Sequence, residues 1–231
     1  MSLAKTFFLV VTAATLLSAC ATISPQPQTK AARVAAPIAA MNTGPDVKAP
    51  HGFATMCARS PGLCQLAISD TAKPPIYTLM DPPKSLLDNV NRRVNANVRQ
   101  QSDLATYKAD DVWNRPIVAD GLLSGDCEDL AIEKRQELIE AGVDPKSMFY
   151  AVVYRRDIGL HVLLVVSTSK GDLALDSRSP WIEPWNKVPY IWVKRQLAEN
   201  PTQWAMVMQP GTRSAPIHLA DASDTLTLAN R

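Results

Sequence analysis

In the stretch "SGDCEDLAIEK", Cys127 lies between Asp126 and Glu128, where a loop gives way to a helical pattern. A thiol at a helix N-terminus meets unpaired backbone N–H groups and the positive end of the dipole, and both favour the thiolate. The same N–H groups stabilise an oxyanion formed in acyl transfer. The two flanking carboxylates act in the opposite sense and raise the thiol pKa. A thiolate nucleophile also needs a base, and the base needs a group to orient it. The chain has three histidines. His51 precedes the expected core and His218 lies in the C-terminal tail, which leaves His161. It opens the strand-like run "HVLLVV", and Asp176 follows fifteen residues later at the end of "LALD". Two adjacent antiparallel strands set such side chains beside each other. The chemistry on offer is a Cys-His-Asp triad, with Cys127 as nucleophile, His161 as base and Asp176 as orienter. Taken singly, the three read more plainly as a core cysteine, a strand-end histidine and a turn aspartate. Their combination with Gly125-Asp126-Cys127 at a helix start favours catalysis. One loop earlier stand Trp113 and Asn114, as oxyanion donors or as packing.

The elements that must hold these residues show in the periodicity. "PPKSLLDNVNRRVNANVRQQ" carries Leu87, Val90, Val94 and Val98 at helical spacing after Pro83, with Arg92, Arg93 and Arg99 opposite. This is an amphipathic helix with a solvated charged face. "DVWNRPIVADGLLSG" reads as a loop from Asn114, Pro116, Gly121 and Gly125. The helix at Cys127 runs through Leu130, Ala131, Lys134, Leu138 and Ile139 and stops at Gly142. Then come "MFYAVVYR", "LHVLLVVS" and "DLALDS", joined by Asp157-Ile158-Gly159 and Ser169-Lys170-Gly171, which read as hairpin turns. "KVPYIWVKRQ" is expected as a final strand, and Trp181, Trp185 and Trp192 as core or groove walls. A helix followed by an antiparallel meander makes the fold class α+β.

The N-terminus bears on the compartment. Lys5 is followed by the apolar run Phe7 to Ala19, which falls short of the ~20 residues a spanning helix needs. Its length fits the hydrophobic region of a secretory signal. Leu17-Ser18-Ala19-Cys20 resembles a bacterial lipobox, in which Cys20 is lipidated; ordinary signal-peptidase cleavage is the competing outcome, and both export the protein. Residues 1–20 are read as signal peptide, 21–50 as a Pro/Ala-rich tether, 51–209 as the folded domain and 210–231 as a polar tail. Cys57 and Cys64 flank Pro61-Gly62; in an exported chain they pair as a disulfide, since a zinc site needs two more ligands and only His51 is near. The net charge of +2 gives no case for a nucleic-acid partner. Membrane contact is expected only through a lipid anchor at Cys20.

Together, "DVWNRPIVADGLLSGDCEDLAIEKRQELIEAG", "GLHVLLVV" and "GDLALDSRSPWIEPW" resemble the bacterial transglutaminase-like cysteine proteinases, among which is a periplasmic member that releases a biofilm adhesin from the cell surface. The resemblance runs from about Met56 to Trp204. It implies a papain/transglutaminase-like α+β fold, with the nucleophile-bearing helix packed on an antiparallel sheet. It implies a cysteine endopeptidase in which Cys127 is the nucleophile, His161 the general base and then acid, and Asp176 its orienter. It also implies calcium (Ca2+) held by Asp126 and Glu128, with Asp129 as a further ligand. The implied substrate is an envelope or surface protein, and the implied regulatory partner a receptor in the inner membrane. Leu130 and Val162 depart from the aromatic and small residues often found at those positions, which bears on the pocket. The tether and the Cys57/Cys64 pair mark a branch distinct from the adhesin-cleaving member.

Calcium has a physical rationale as well, because its charge reverses the field of the carboxylates around Cys127. The plainer use of the same acids is helix capping by Asp126, with Glu128 and Asp129 favouring the dipole. Two other functions fit the same residues. One is transglutaminase or amidase acyl transfer, in which an amine is the acceptor or an amide is hydrolysed. The other is a non-catalytic, calcium-responsive envelope binding module.

Overall fold

The computed structural model describes residues 40–64, 76–78 and 80–209. The segment read as a signal peptide, with Cys20, and the stretch read as a polar tail lie outside the described residues, as does most of the stretch read as a tether. The chain runs through β1 (Thr43–Val47), α1 (His51–Arg59), α2 (Lys84–Asn97), β2 (Arg99–Gln100), α3 (Asp103–Tyr107), β3 (Ile117–Ala119) and β4 (Leu122–Gly125). It continues with α4 (Cys127–Glu140), β5 (Met148–Arg155), β6 (Gly159–Thr168), β7 (Gly171–Leu175), β8 (Glu183–Pro184), β9 (Ile191–Gln196) and β10 (Trp204–Val207). The expected α+β architecture, a nucleophile-bearing helix against an antiparallel sheet, is what these elements form.

The main sheet has seven strands in the order β1-β10-β9-β5-β6-β7-β8. β5, β6 and β7 form the expected meander, with turns at the two predicted hairpins. Alternation along a strand sends neighbouring side chains to opposite faces, and β6 uses both. Val162, Leu164 and Val166 join Leu87, Val90 and Val94 of α2 and Leu130, Ile132 and Leu138 of α4 in one core. Leu163 and Val165 join Phe149, Ala151, Val153, Trp185 and Trp192 in a second core on the other face. Trp185 and Trp192 are thus core residues, whereas Trp181 is 63% exposed.

Several strands depart from the sequence reading: β3 and β4 pair antiparallel inside the stretch read as a loop, joined by the turn at Asp120-Gly121. β1 lies inside the stretch read as a tether, yet Thr43 pairs with Val207 and Val47 with Trp204. Its five residues, with Gly44 and Pro45 among them, carry no periodic signal; the partner strand gives β1 its structure. The buried Asp172 adds a second tie by accepting the Met41 N–H at 2.6 Å. "KVPYIWVKRQ" supplies β9, which is not the final strand but an interior one between β5 and β10.

Cys57 and Cys64 are joined as a disulfide, with Cα atoms 5.5 Å apart, tying α1 to the turn that follows it. α1 in turn clamps the loop before β3. Gly52 N–H donates to Asp111 Oδ2 at 2.6 Å, Phe53 meets Trp113 edge-on at 5.4 Å, and Arg59 donates to the Trp113 carbonyl at 3.1 Å. A Cβ on Gly52 would lie 2.1 Å from the Asp111 carbonyl oxygen, so only glycine allows this approach. No helix among the described residues is long and apolar enough to cross a membrane.

Candidate active site

β4 ends at Gly125, Asp126 is extended, and Cys127 opens α4. There is no room for a side chain at position 125, where a Cβ would stand 2.7 Å from the Asp129 carboxylate. The Asp126 side chain makes no capping hydrogen bond to the helix, so capping does not account for it. Cys127 is free and half-buried. Its thiol donates to Glu128 Oε2 at 2.9 Å, and the Val162 N–H donates to Sγ at 3.4 Å. Burial, then the charges of Glu128 and Asp126, push the thiol well above its ordinary value; the Val162 amide works the other way. In this arrangement burial and the neighbouring acids together favour the protonated thiol.

Val162 follows His161 on β6, so the sulfur lies against the backbone beside that histidine. Leu164 pairs with Leu175 across β6 and β7, which makes His161 and Asp176 diagonal neighbours on one face. His161 Nε2 and Asp176 Oδ1 are 2.8 Å apart, both groups buried. Engagement of Nε2 leaves Nδ1 as the ring nitrogen for another partner. The Arg178 N–H donates to the same Asp176 oxygen at 2.8 Å, and the Tyr190 hydroxyl to the other at 2.7 Å. Asn95 of α2 holds the Asp176 carbonyl at 2.9 Å. Burial acts to raise Asp176, but the hydrogen bond and charge of His161, with the Arg178 and Tyr190 donors, outweigh it and hold the carboxyl below its usual value. The Tyr190 ring also leans on His161, with centroids 5.8 Å apart. Asp176, Tyr190, Arg178 and Trp181 border a cavity of about 270 Å³.

The acids around Cys127 fall into two overlapping groups. Asp103, Asp126 and Asp129 each bring an oxygen within 4.8 Å of the others, and Asp126, Cys127 and Glu128 form a second such group. Asp126 belongs to both, while Glu128 and Asp129 point to different groups. Asp103 Oδ1 and Asp126 Oδ1 are buried without a hydrogen-bond partner. Asp129 accepts the Asn114 N–H at 2.9 Å and the Tyr107 hydroxyl at 3.1 Å; Asp103 accepts the Val112 N–H at 2.5 Å. Burial, reinforced by neighbouring acids, lifts Asp103 to about 7 and Asp129 to about 8. It also raises Asp126, and raises Glu128 strongly. Convergent buried carboxylate oxygens with unsatisfied lone pairs suit a hard cation such as Ca²⁺, which takes only oxygen ligands.

Asp103 was not legible as part of this group. It lies in the five-residue α3, more than twenty residues before Cys127, and Ser102-Asp103 reads from sequence only as a helix start. Tyr190 and Asn95 were equally silent. The Trp113 indole and the Asn114 backbone N–H are both engaged with nearby acids. The indole donates to Asp111 at 3.0 Å, and the Asn114 amide builds the acid cluster.

A family model described as bacterial transglutaminase-like cysteine proteinase, BTLCP, matches residues 43–212, from the first residue of β1 to beyond β10. The chain belongs to this family. It is therefore a transglutaminase-like cysteine peptidase. Among solved structures, this proteinase is similar to Legionella pneumophila LapG in a calcium-bound form, at 26% identity, covering 65% of this chain and 83% of that one, with a TM-score of 0.45. An EGTA-treated LapG matches at 27% identity over 58% of this chain and 75% of that one, with a TM-score of 0.44. A further LapG structure matches at 28% identity over 51% of this chain and 66% of that one, just under two thirds of its length, with a TM-score of 0.42. No curated protein matches the proteinase.

Proposed function

We propose that the proteinase is an exported, calcium-dependent endopeptidase whose catalytic residues are Cys127, His161 and Asp176. The observation that carries this reading is the placement of the Cys127 sulfur on the Val162 amide, one residue from a buried His161–Asp176 pair. Asp176 orients the ring through Nε2, and His161 takes the Cys127 proton at Nδ1. The thiolate attacks a peptide carbonyl, and the N–H groups at the start of α4 receive the oxyanion. His161 then protonates the leaving amine, and water releases the acyl-enzyme. Exposed apolar side chains lie close in the chain to these residues: Val118, Leu122 and Leu123 before Cys127, Leu160 next to His161 and Ile191 next to Tyr190. They support a polypeptide substrate, here an envelope or surface protein.

Asp103, Asp126 and Asp129, with Glu128, are the residues that would hold calcium. A bound calcium ion supplies the positive charge that offsets the acid field at Cys127. Without it, Glu128 accepts the thiol proton and competes with His161 for the nucleophile. The signal-like N-terminus and the disulfide support a periplasmic location, with Cys20 as a lipid anchor. An inner-membrane receptor as regulator rests on the family resemblance.

The decisive experiment is labelling with a thiol-directed peptide electrophile under mild reducing conditions, in calcium and in chelator. Labelling confined to Cys127 and lost on chelation is the expected result. An unlabelled Cys127 in calcium would sink the catalytic reading, whereas chelator-insensitive labelling would remove only the metal. Mass spectrometry of digested envelope proteins should find new carboxyl termini; lysine–glutamine crosslinks without cleavage would mean transfer instead of hydrolysis.

A further inference from the structure

The loop before β3 is held from two sides, residue by residue. Asp111 and Trp113 are gripped by α1. The Gly52 N–H donates to Asp111 Oδ2 at 2.6 Å, Phe53 meets the Trp113 ring edge-on, and Arg59 donates to the Trp113 carbonyl at 3.1 Å. Val112 and Asn114, which alternate with them, give their N–H groups to the acid cluster. Val112 donates to Asp103 Oδ2 at 2.5 Å and Asn114 to Asp129 Oδ1 at 2.9 Å. The loop is thus a bridge between an acid on α3 and an acid on α4, whose oxygens lie within 4.8 Å of each other and of Asp126. Asp103 Oδ1 is buried there with no hydrogen-bond partner, so Asp103 is held through its other oxygen.

The bridge is only as stiff as α1. That helix has nine residues, no side-chain cap at its N-terminus and no acid in its first turn. A helix so short is marginal on its own and takes its stability from what it touches. Phe53 and Met56 anchor its inner face in the core. Its last turn is fastened by the disulfide from Cys57 to Cys64, seven residues on. Arg59, which grips Trp113, lies inside the loop that this disulfide closes. A crosslink of this kind removes conformations that the reduced chain would sample.

We propose that the Cys57–Cys64 disulfide regulates the cation site of the proteinase: by fixing the end of α1 it holds the 111–114 loop, and through Val112 and Asn114 it holds the Asp103 and Asp129 carboxylates at the spacing a divalent cation requires. The inference rests on reading the acid cluster as a calcium site. Reduction by a dithiol passes two electrons and two protons to Cys57 and Cys64, which become thiols, while the dithiol closes to a disulfide. The last turn of α1 then frays, Arg59 releases the Trp113 carbonyl, and the two acids spread under their mutual repulsion. The disulfide persists in an oxidising compartment, so full cation affinity is confined there.

Calcium titration calorimetry on the full chain, well below its melting temperature, tests this with the disulfide intact, after reduction by a dithiol, and in Cys57→Ala/Cys64→Ala. Kd should rise about tenfold in both disulfide-free forms, the usual scale for losing the support of a metal ligand. In chelator, the Val112 and Asn114 amides should exchange hydrogen about tenfold faster without the disulfide, while those of β5 and β6 keep their protection. Arg59→Gln leaves the cysteines untouched and carries the same test if the double-alanine chain fails to fold. It should raise Kd about threefold, and add little once the disulfide is gone, because both act through one loop. Asp172→Asn, which cuts the tie to Met41, should lower Tm and leave Kd unmoved. A Kd that ignores the disulfide, unchanged exchange at Val112 and Asn114, or an Asp172→Asn shift in Kd as large as that of reduction would each overturn the proposal. A disulfide-bonded wild type that binds no calcium would instead sink the calcium reading, and this proposal with it.

Discussion

Two sets of carboxylates lie around the candidate active site, and they are treated in opposite ways. Asp176 receives His161, the Arg178 amide and Tyr190, and is held below the ordinary carboxyl value despite burial. Asp103, Asp126, Asp129 and Glu128 crowd one another, leave buried oxygens unmatched and are all raised. The chain supplies everything Asp176 needs to stay charged. It does not supply what the cluster needs, which is positive charge from outside. One region is finished by folding; the other has the form of a site that a cation would complete. Cys127, the proposed nucleophile, stands between them, its thiol on Glu128 and its sulfur on β6.

The contrast can be broken most forcefully at Asp176. Asp176→Ala should lower the labelling rate about 10³–10⁴-fold at every calcium concentration, by analogy with loss of the orienting acid in other triads. A loss that added calcium repaired would erase the distinction between the two regions. The next largest effect belongs to the cluster. Asp103 and Asp129, raised to about 7 and about 8, bind more protons in the folded chain than in the unfolded one between those values and the ordinary carboxyl pKa of about 4. Stability in chelator should therefore fall as pH rises from about 5 to 8. A fixed calcium concentration, about 100 times its Kd at pH 8, should restore some 5–10 °C of Tm at pH 8, and much less at pH 5. Calorimetry at the two pH values checks both signs; equal calcium gains would argue against titrating ligands.

Asp103→Asn sharpens the comparison further. It removes one of three crowded charges, so in chelator at pH 8 the variant should melt about 2–4 °C above the wild type, while its gain from calcium shrinks by more than half. A variant destabilised in chelator would mean that Asp103 serves the fold and not a cation. The smallest effect is expected at Tyr190→Phe, which removes one of several donors to a carboxylate that keeps the rest. Labelling should slow about five- to tenfold, in line with one hydrogen bond of ~1–1.4 kcal/mol, with calcium affinity unchanged by titration calorimetry.

The sequence made the centre of the site legible and left its surroundings dark. Cys127 at a helix start, His161 at a strand start and Asp176 at the end of the next strand are readable because each sits at an element boundary with a local pattern. The helices at Leu87 and Leu130 and the two hairpin turns follow from periodicity in the same way. Asp103, Tyr190 and Asn95 have no such pattern, since each acquires its role by reaching a residue more than a dozen positions away. β1 was hidden for the same reason. Lys134 illustrates a third case: its place in the helical pattern was visible, but its complete burial beside apolar neighbours was not.

β1 has a consequence for the order in which the molecule is built. Among the described residues it is the first strand, and it pairs in the sheet with β10, the last. Their pairing joins residues some 160 positions apart, from Thr43 to Val207. Closing so long a loop is slow relative to the local β5–β6–β7 meander. An emerging chain can form the meander while its first strand waits unpaired. The sheet is completed only when β10 has been synthesised and is free to pair.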